Sequence, residues 1–326
     1  MTKPNTYLYA CLKAAALTLG LAALLALMLA PRAEAARPLS IGFSDARFEG
    51  GDKTAEQSFK RVVGLNADVI RLNMYWAVVG FKQPTNPRDP ADPNYDWKLY
   101  DNAIRGAEEN GLEVALTVTN APAWAEGPNR PADLDRYPAG SWKPDADAFA
   151  DFAHALAVRY SGSYDPGDGG GTLPAVAYFE AWNEPNLSTY ITPQWDGKQN
   201  MATDLYGALL NGFYDEIKAV DPDAKIIAGG TAPYGDPPGG PNRTQPIRFY
   251  QELLCLNTKN KQASCPNGEE PKFDIIAHHP INRTDPPTAK ADNKGEVEVA
   301  DFKSLVNVIR AGEKQGTIAT PGKHDV

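Results

Sequence analysis

Basic residues are in deficit in this chain: 32 Lys and Arg stand against 41 Asp and Glu, giving a formal charge of −9 and a pI near 5.1. A nucleic-acid partner would need a dense basic face, so none is expected. Histidine and cysteine are scarce, at four and three residues. There is no HExxH or HxH, and the cysteines have no paired histidines nearby, so no metal centre is expected. The first strand-to-helix turn, FSDARFEGGDKT, lacks GxGxxG and the Walker pattern, which removes the main support for a nucleotide fold. No GxSxG supplies a serine nucleophile elbow. No repeat of 20–50 residues points to a solenoid or propeller. What is present is a 42% apolar composition, enough for a large core, with 28 Gly and 28 Pro to build many turns.

Only one long hydrophobic run occurs. Residues 14–30 follow Lys3 and Lys13 and precede Ala33-Glu34-Ala35, where a signal peptidase would read two small residues. The pattern predicts a secretory signal over residues 1–35, cleaved after Ala35, and a secreted chain of residues 36–326 with no membrane partner after cleavage. The alternative is an uncleaved anchor through residues 14–30, since the run falls between signal and spanning lengths. Cys11 leaves with the signal. Cys255 and Cys265 remain as a pair close in sequence, and export makes a local disulfide the expected state, with two free thiols as the alternative. Such a bridge contributes about 2–3 kcal/mol on the chain-entropy model.

Along the rest of the chain, β-rich runs alternate with amphipathic helical patterns. The runs cover residues 39–44, 69–76, 113–120, 175–182, 225–229 and 273–278. A helix is predicted after each. The first, near residues 54–66, carries Phe59, Val62 and Val63 and a Thr54/Gln57 capping box; the last carries Phe302, Leu305, Val306 and Ile309. This alternation predicts an α/β fold with right-handed parallel crossovers. The long irregular segments mostly follow strands, the asymmetry of a TIM (β/α)8-type barrel whose working face is built from strand-to-helix loops. About six of eight βα units are present, and the final TIATPGKHDV reads as the approach to a seventh strand, so the barrel is expected to be C-terminally incomplete.

At the end of the fourth run stands Glu-Ala-Trp-Asn-Glu-Pro-Asn, residues 180–186. A carboxyl at the rim of an apolar strand is partly desolvated, which suits general acid work, and an adjacent amide can orient a hydroxyl. These residues resemble the (β/α)8 retaining glycoside hydrolases of the cellulase, β-xylosidase and β-galactosidase clan, which carry Asn-Glu-Pro on strand four. The resemblance implies that Glu184 is the acid/base and that Asn183 binds the sugar 2-hydroxyl. It matches Arg71 in VIRLNMYW to the clan's nucleophile-supporting arginine. APAWA, residues 121–125, is similar to members near the β-xylosidase branch. AHHP makes His278 or His279 a site residue, with Ile281 where many members have Tyr. Asn120, at the end of the third run, joins the expected substrate-binding set.

The clan's nucleophile is a Glu ending strand seven, placed by this reading beyond residue 326. Rim carboxylates Asp45, Glu49, Glu126 and Asp285 sit in no matching motif. All six Trp fall between residues 76 and 195; Trp76 and Trp124, at strand ends, are expected to stack on sugar rings, and Trp182 points either way. The expected activity is retaining hydrolysis of β-linked O-glycosidic bonds in a carbohydrate partner, without metal or organic cofactor. The alternatives are a non-catalytic carbohydrate-binding barrel remnant and, more weakly, an inverting hydrolase.

Overall fold

Alternation along each strand explains the sheet in the computed structural model, which describes residues 39–326 apart from 238, 239, 241 and 283. Residues 1–35, read as an export signal, lie outside the described residues. Six strands, β1 (Gly42–Ser44), β2 (Val69–Tyr75), β3 (Glu113–Thr119), β4 (Tyr178–Ala181), β5 (Lys225–Thr231) and β6 (Ile275–His278), pair in sequence order. Every adjacent pair is parallel. Ile70, Leu72 and Met74 of β2, Leu116 and Val118 of β3, Phe179 and Ala181 of β4, and Ile226 and Ala228 of β5 are buried in the main core. Residues between them, Arg71, Asn73, Thr117 and Glu180, occupy the other face of the pleat. Register aligns Asn73 with Thr117 and Thr117 with Glu180, so a polar layer crosses three strands.

A helix of eight residues or more follows each of these strands: α1 (Lys53–Val63), α2 (Lys98–Glu109), α3 (Ala146–Arg159), α4 (Met201–Val220), α5 (Pro246–Leu253) and α6 (Phe302–Gln315), with one extra short helical turn, Trp76–Val79, directly after β2. This is the βα repetition expected of the barrel class, six units in number. The predicted capping box of α1 is replaced: Asp52 is the N-cap, and its carboxylate accepts from the Thr54 and Ala55 amides. An ionised cap accepts more strongly than a hydroxyl and also meets the positive end of the helix dipole. In α6 Leu305 and Ile309 are buried as expected, joined by Val308, while the expected Val306 is only half-buried. The run at 175–182 narrows to the four strand residues 178–181: Ala175 bridges Ser161 instead of joining the sheet, and Trp182 turns out of it at the other end.

Beyond β6, Ile275 forms a parallel bridge to Asp325, and the Ile276 amide donates to the Asp325 carbonyl at 3.0 Å. The free edge of β6 is thereby met by an isolated bridge from the last residues described. Cys255 and Cys265 are disulfide-bonded, closing the loop after α5. Among the described residues, no helix is long and apolar enough to cross a membrane.

Candidate active site

The chain leaves β4 through a tight, left-handed turn. Trp182 has φ 70° and Glu184 φ 39°, conformations that cost energy for residues with a side chain and persist only when neighbours fix them. Here the fixing contacts are clear. The Trp182 amide donates to the Val118 carbonyl at 2.9 Å, and the Glu184 amide donates to the Gly230 carbonyl at 3.0 Å. The Trp182 indole N–H reaches the Tyr190 carbonyl at 3.0 Å. Trp182 is fully buried with its ring edge-on to Phe149, so of its two open orientations the packed one is realised.

Two glycines of β5 make room for this turn. A Cβ on Gly229 would lie 2.6 Å from the Ala181 carbonyl oxygen, and one on Gly230 would lie 2.5 Å from His279 Nε2. The pairing of β5 with β6 is irregular at the same place, between Ala228 and Thr231. A glycine bulge lets two backbones and an imidazole approach where ordinary residues would clash.

The turn aims Glu184 at the C-terminal rim. Its carboxyl Oε1 is 2.8 Å from His279 Nδ1, and its side chain keeps 18% of its surface exposed. One proton is shared across this contact: the imidazole N–H donates to a carboxylate, or a carboxylic O–H donates to the imidazole. Asn183 is held from the other side. Arg71 Nη2 donates to Asn183 Oδ1 at 2.9 Å, Arg71 Nη1 to Asn73 Oδ1 at 2.8 Å, and Arg71 Nε to Glu180 Oε2 at 2.8 Å. Tyr190 adjoins this group. Burial raises its phenol, the Glu184 and Tyr75 side chains raise it further, and hydrogen bonding from Asn183 opposes the rise.

Of the residues read from the sequence, Arg71, Asn183, Glu184 and His279 therefore meet in one cluster. Asn120 closes β3 at φ 58°, and its Oδ1 is buried without a partner, as is the hydroxyl of Thr119 beside it. Trp124 is half-buried; its indole N–H donates to the Gly80 carbonyl at 2.8 Å. Two expected sugar contacts are corrected. Trp76 is fully buried, stacked on Phe152 with Trp124 edge-on, so its ring faces are spent on the core. His278 faces away from Glu184: Thr231 Oγ1 lies 2.8 Å from its Nδ1 and the Val297 carbonyl 2.8 Å from its Nε2. Adjacent strand residues point to opposite faces, so only one histidine can serve the rim. Burial lowers the His278 imidazole to about 4.

Two of the rim carboxylates weighed as substitutes are engaged structurally. Glu126 accepts from the Gly140 amide and pairs with Arg130, and Asp45 caps a short turn and pairs with Arg47. The sequence reading missed Glu180, Asn73, Thr117 and Tyr190. The available signal was a carboxylate inside the apolar run AVAYFEAW, which only pairing can justify. Beside the cluster, loops following β3, β4 and β5 enclose a polar cleft of about 750 Å³ lined by Asp133, Arg136, Ser188, Tyr234 and Arg243. Among the described residues, no group of three or more His, Cys, Asp or Glu side chains is placed to hold a metal ion.

A family model described as cellulase (glycosyl hydrolase family 5) matches residues 36–307. No curated protein matches the chain significantly. Similar solved structures include a monomeric β-xylosidase from Caulobacter crescentus, at 19% identity over 88% of this chain and 50% of that one, with a TM-score of 0.48. A glucosidase from Croceicoccus marinus gives 16% identity over 80% and 46%, with a TM-score of 0.45. A GH39 enzyme from Xanthomonas axonopodis pv. citri gives 17% over 88% and 49%, with a TM-score of 0.46. The chain spans about half the length of these proteins.

Proposed function

Because the chain belongs to the cellulase family, glycosyl hydrolase family 5, we propose that it serves the hydrolysis of β-linked O-glycosidic bonds in an oligosaccharide, polysaccharide or glycoside, with retention at the anomeric carbon. The observation that carries this reading is the Glu184 carboxyl, presented at the rim of β4 and held at 2.8 Å by His279, with Asn183 fixed beside it by Arg71. In the first step Glu184 protonates the departing glycosidic oxygen; in the second it takes a proton from water. The nucleophile is a Glu on a seventh strand. The parallel bridge from Ile275 to Asp325 supports that placement, since a strand continuing there would end on the same rim. A retaining pair needs its carboxyl groups about 5 Å apart.

Sugar contacts follow from the donors and acceptors present. Asn183 offers amide N–H groups, because its oxygen is engaged by Arg71. Asn120 Oδ1 and Thr119 Oγ1 lie unpartnered but buried at the end of β3, so they are not among these contacts. Trp124 offers an apolar surface for stacking. The chain is proposed to act outside the cytoplasm, with residues 1–35 as a cleaved signal.

The test is a leaving-group series. Glu184→Gln is expected to lose most activity, about 100-fold or more, on glycosides with poor leaving groups, and much less on activated aryl glycosides. Equal losses on both would contradict an acid role.

A further inference from the structure

We propose that Glu180 is a positioning residue for the same site: the buried counter-charge that locks Arg71 and, through it, the amide orientation of Asn183. The inference rests on the function proposed above. Glu180 lies four residues before Glu184, inside β4, with its side chain only 3% exposed. A carboxylate is costly there unless it is paired and fully hydrogen-bonded. Both oxygens are satisfied. Oε2 accepts from Arg71 Nε at 2.8 Å and from the Thr117 hydroxyl at 2.5 Å, and Oε1 accepts from the Gly230 amide at 2.9 Å. These donors come from β2, β3 and β5, so Glu180 ties four neighbouring strands at the layer just below the rim.

The consequence reaches Asn183 through the chemistry of Arg71. A guanidinium has five N–H donors and no acceptor. With Nε on Glu180 and Nη1 on Asn73, Nη2 meets Asn183, and the atom it meets must be the amide oxygen. The Asn183 N–H groups are thereby turned away from Arg71, on the side where Tyr190 adjoins. Without the Glu180 charge, Arg71 loses its Nε acceptor and its neutralising partner. The guanidinium is then free to turn toward other carboxylates at the rim, and the Asn183 amide is free to flip. An unbalanced cation beside Glu184 also favours the ionised carboxylate, which is the wrong form for a proton donor.

The experiment compares wild type, Glu180→Gln and Glu180→Asp in the full chain. Glu180→Gln keeps the shape and removes the charge; Glu180→Asp keeps the charge on a shorter stem. The first readout requires no turnover: the side-chain amide resonances of Asn183 in a ¹⁵N spectrum, assigned by their loss in Asn183→Asp. They are expected to shift in Glu180→Gln and to return toward the wild-type position in Glu180→Asp. The second readout is the preference for an aryl β-glycoside over its 2-deoxy analogue, expressed as a ratio of kcat/KM. That ratio is expected to fall about tenfold or more in Glu180→Gln, because an amide no longer held in place discriminates poorly for a hydroxyl. The alkaline limb of the pH profile is expected to move to lower pH. Unmoved Asn183 resonances in a folded Glu180→Gln would overturn the proposal, whether or not the protein hydrolyses glycosides. So would a uniform loss on both substrates with an unchanged pH limb, which is what a merely structural carboxylate would give. A wild type with no glycosidase activity removes the functional reading alone, and the resonance shift still decides the role of Glu180.

Discussion

His278 and His279 show how one residue of offset divides two identical side chains between different tasks. His279 meets Glu184 at 2.8 Å, whereas His278 is enclosed between Thr231 and the Val297 carbonyl, near the ring of Phe302. Burial, the largest cause, holds the His278 imidazole down at about 4 against its ordinary 6.5; the neighbouring His279 adds a smaller lowering, and its hydrogen bonds with Val297 and Thr231 and the Glu184 charge oppose it. The folded chain therefore takes up its proton later than the unfolded chain as pH falls. Stability from this group is intact above about pH 6.5 and declines as pH falls toward 4, by at most about 3 kcal/mol. Urea unfolding midpoints between pH 7 and 4 check this: His278→Gln is expected to flatten the decline relative to wild type. Parallel curves would assign the acid sensitivity elsewhere. At this scale the motif residues Asn183 and Glu184 are legible from the sequence because a carboxyl and an amide ending an apolar strand have no packing role. Glu180 is harder to read, since its partners Arg71, Thr117 and Gly230 lie far from it in sequence and meet it only through strand register.

At the scale of elements, the end of β5 governs the site as much as β4 does. Gly230 accepts the Glu184 amide at its carbonyl, donates its own amide to Glu180, and leaves room for His279 Nε2. Gly230→Ala would place a methyl group 2.5 Å from that nitrogen. The imidazole must then move off Glu184, and activity is expected to drop about 10–100-fold, since a displacement near 1 Å at a reacting group has that effect. Kinetics alongside the His279 ring resonances would check it; an undisturbed His279 with full activity would contradict the role given to the bulge. The sequence shows two glycines closing a strand, but not what approaches them. The strands and helices themselves are legible because period-2 and period-3.6 patterns are local. Their ends are less so: α1 begins on Asp52 rather than on the Thr54 box, because the first residue able to accept the free amides takes the cap.

Across the whole molecule, the parallel order from β1 to β6 carries every functional loop to one rim, which is why strand-to-helix turns from β2 to β6 share a single site. A second, more distant network fastens the helices: Asp101 of α2 receives Arg159 and Tyr160 at the end of α3, in buried bonds of 2.5–3.0 Å. The barrel class and the count of six units are readable from alternation alone. The polar layer formed by Asn73, Thr117 and Glu180 is not, because it exists only when three strands align. The central claim is that Glu184 exchanges the proton in a double displacement, and chemical rescue tests it most directly. Glu184→Ala supplied with azide and an activated aryl β-glycoside is expected to regain turnover and to release the β-glycosyl azide, identified by its anomeric proton coupling. An α-glycosyl azide, or no rescue together with undiminished hydrolysis by the variant, would contradict the account.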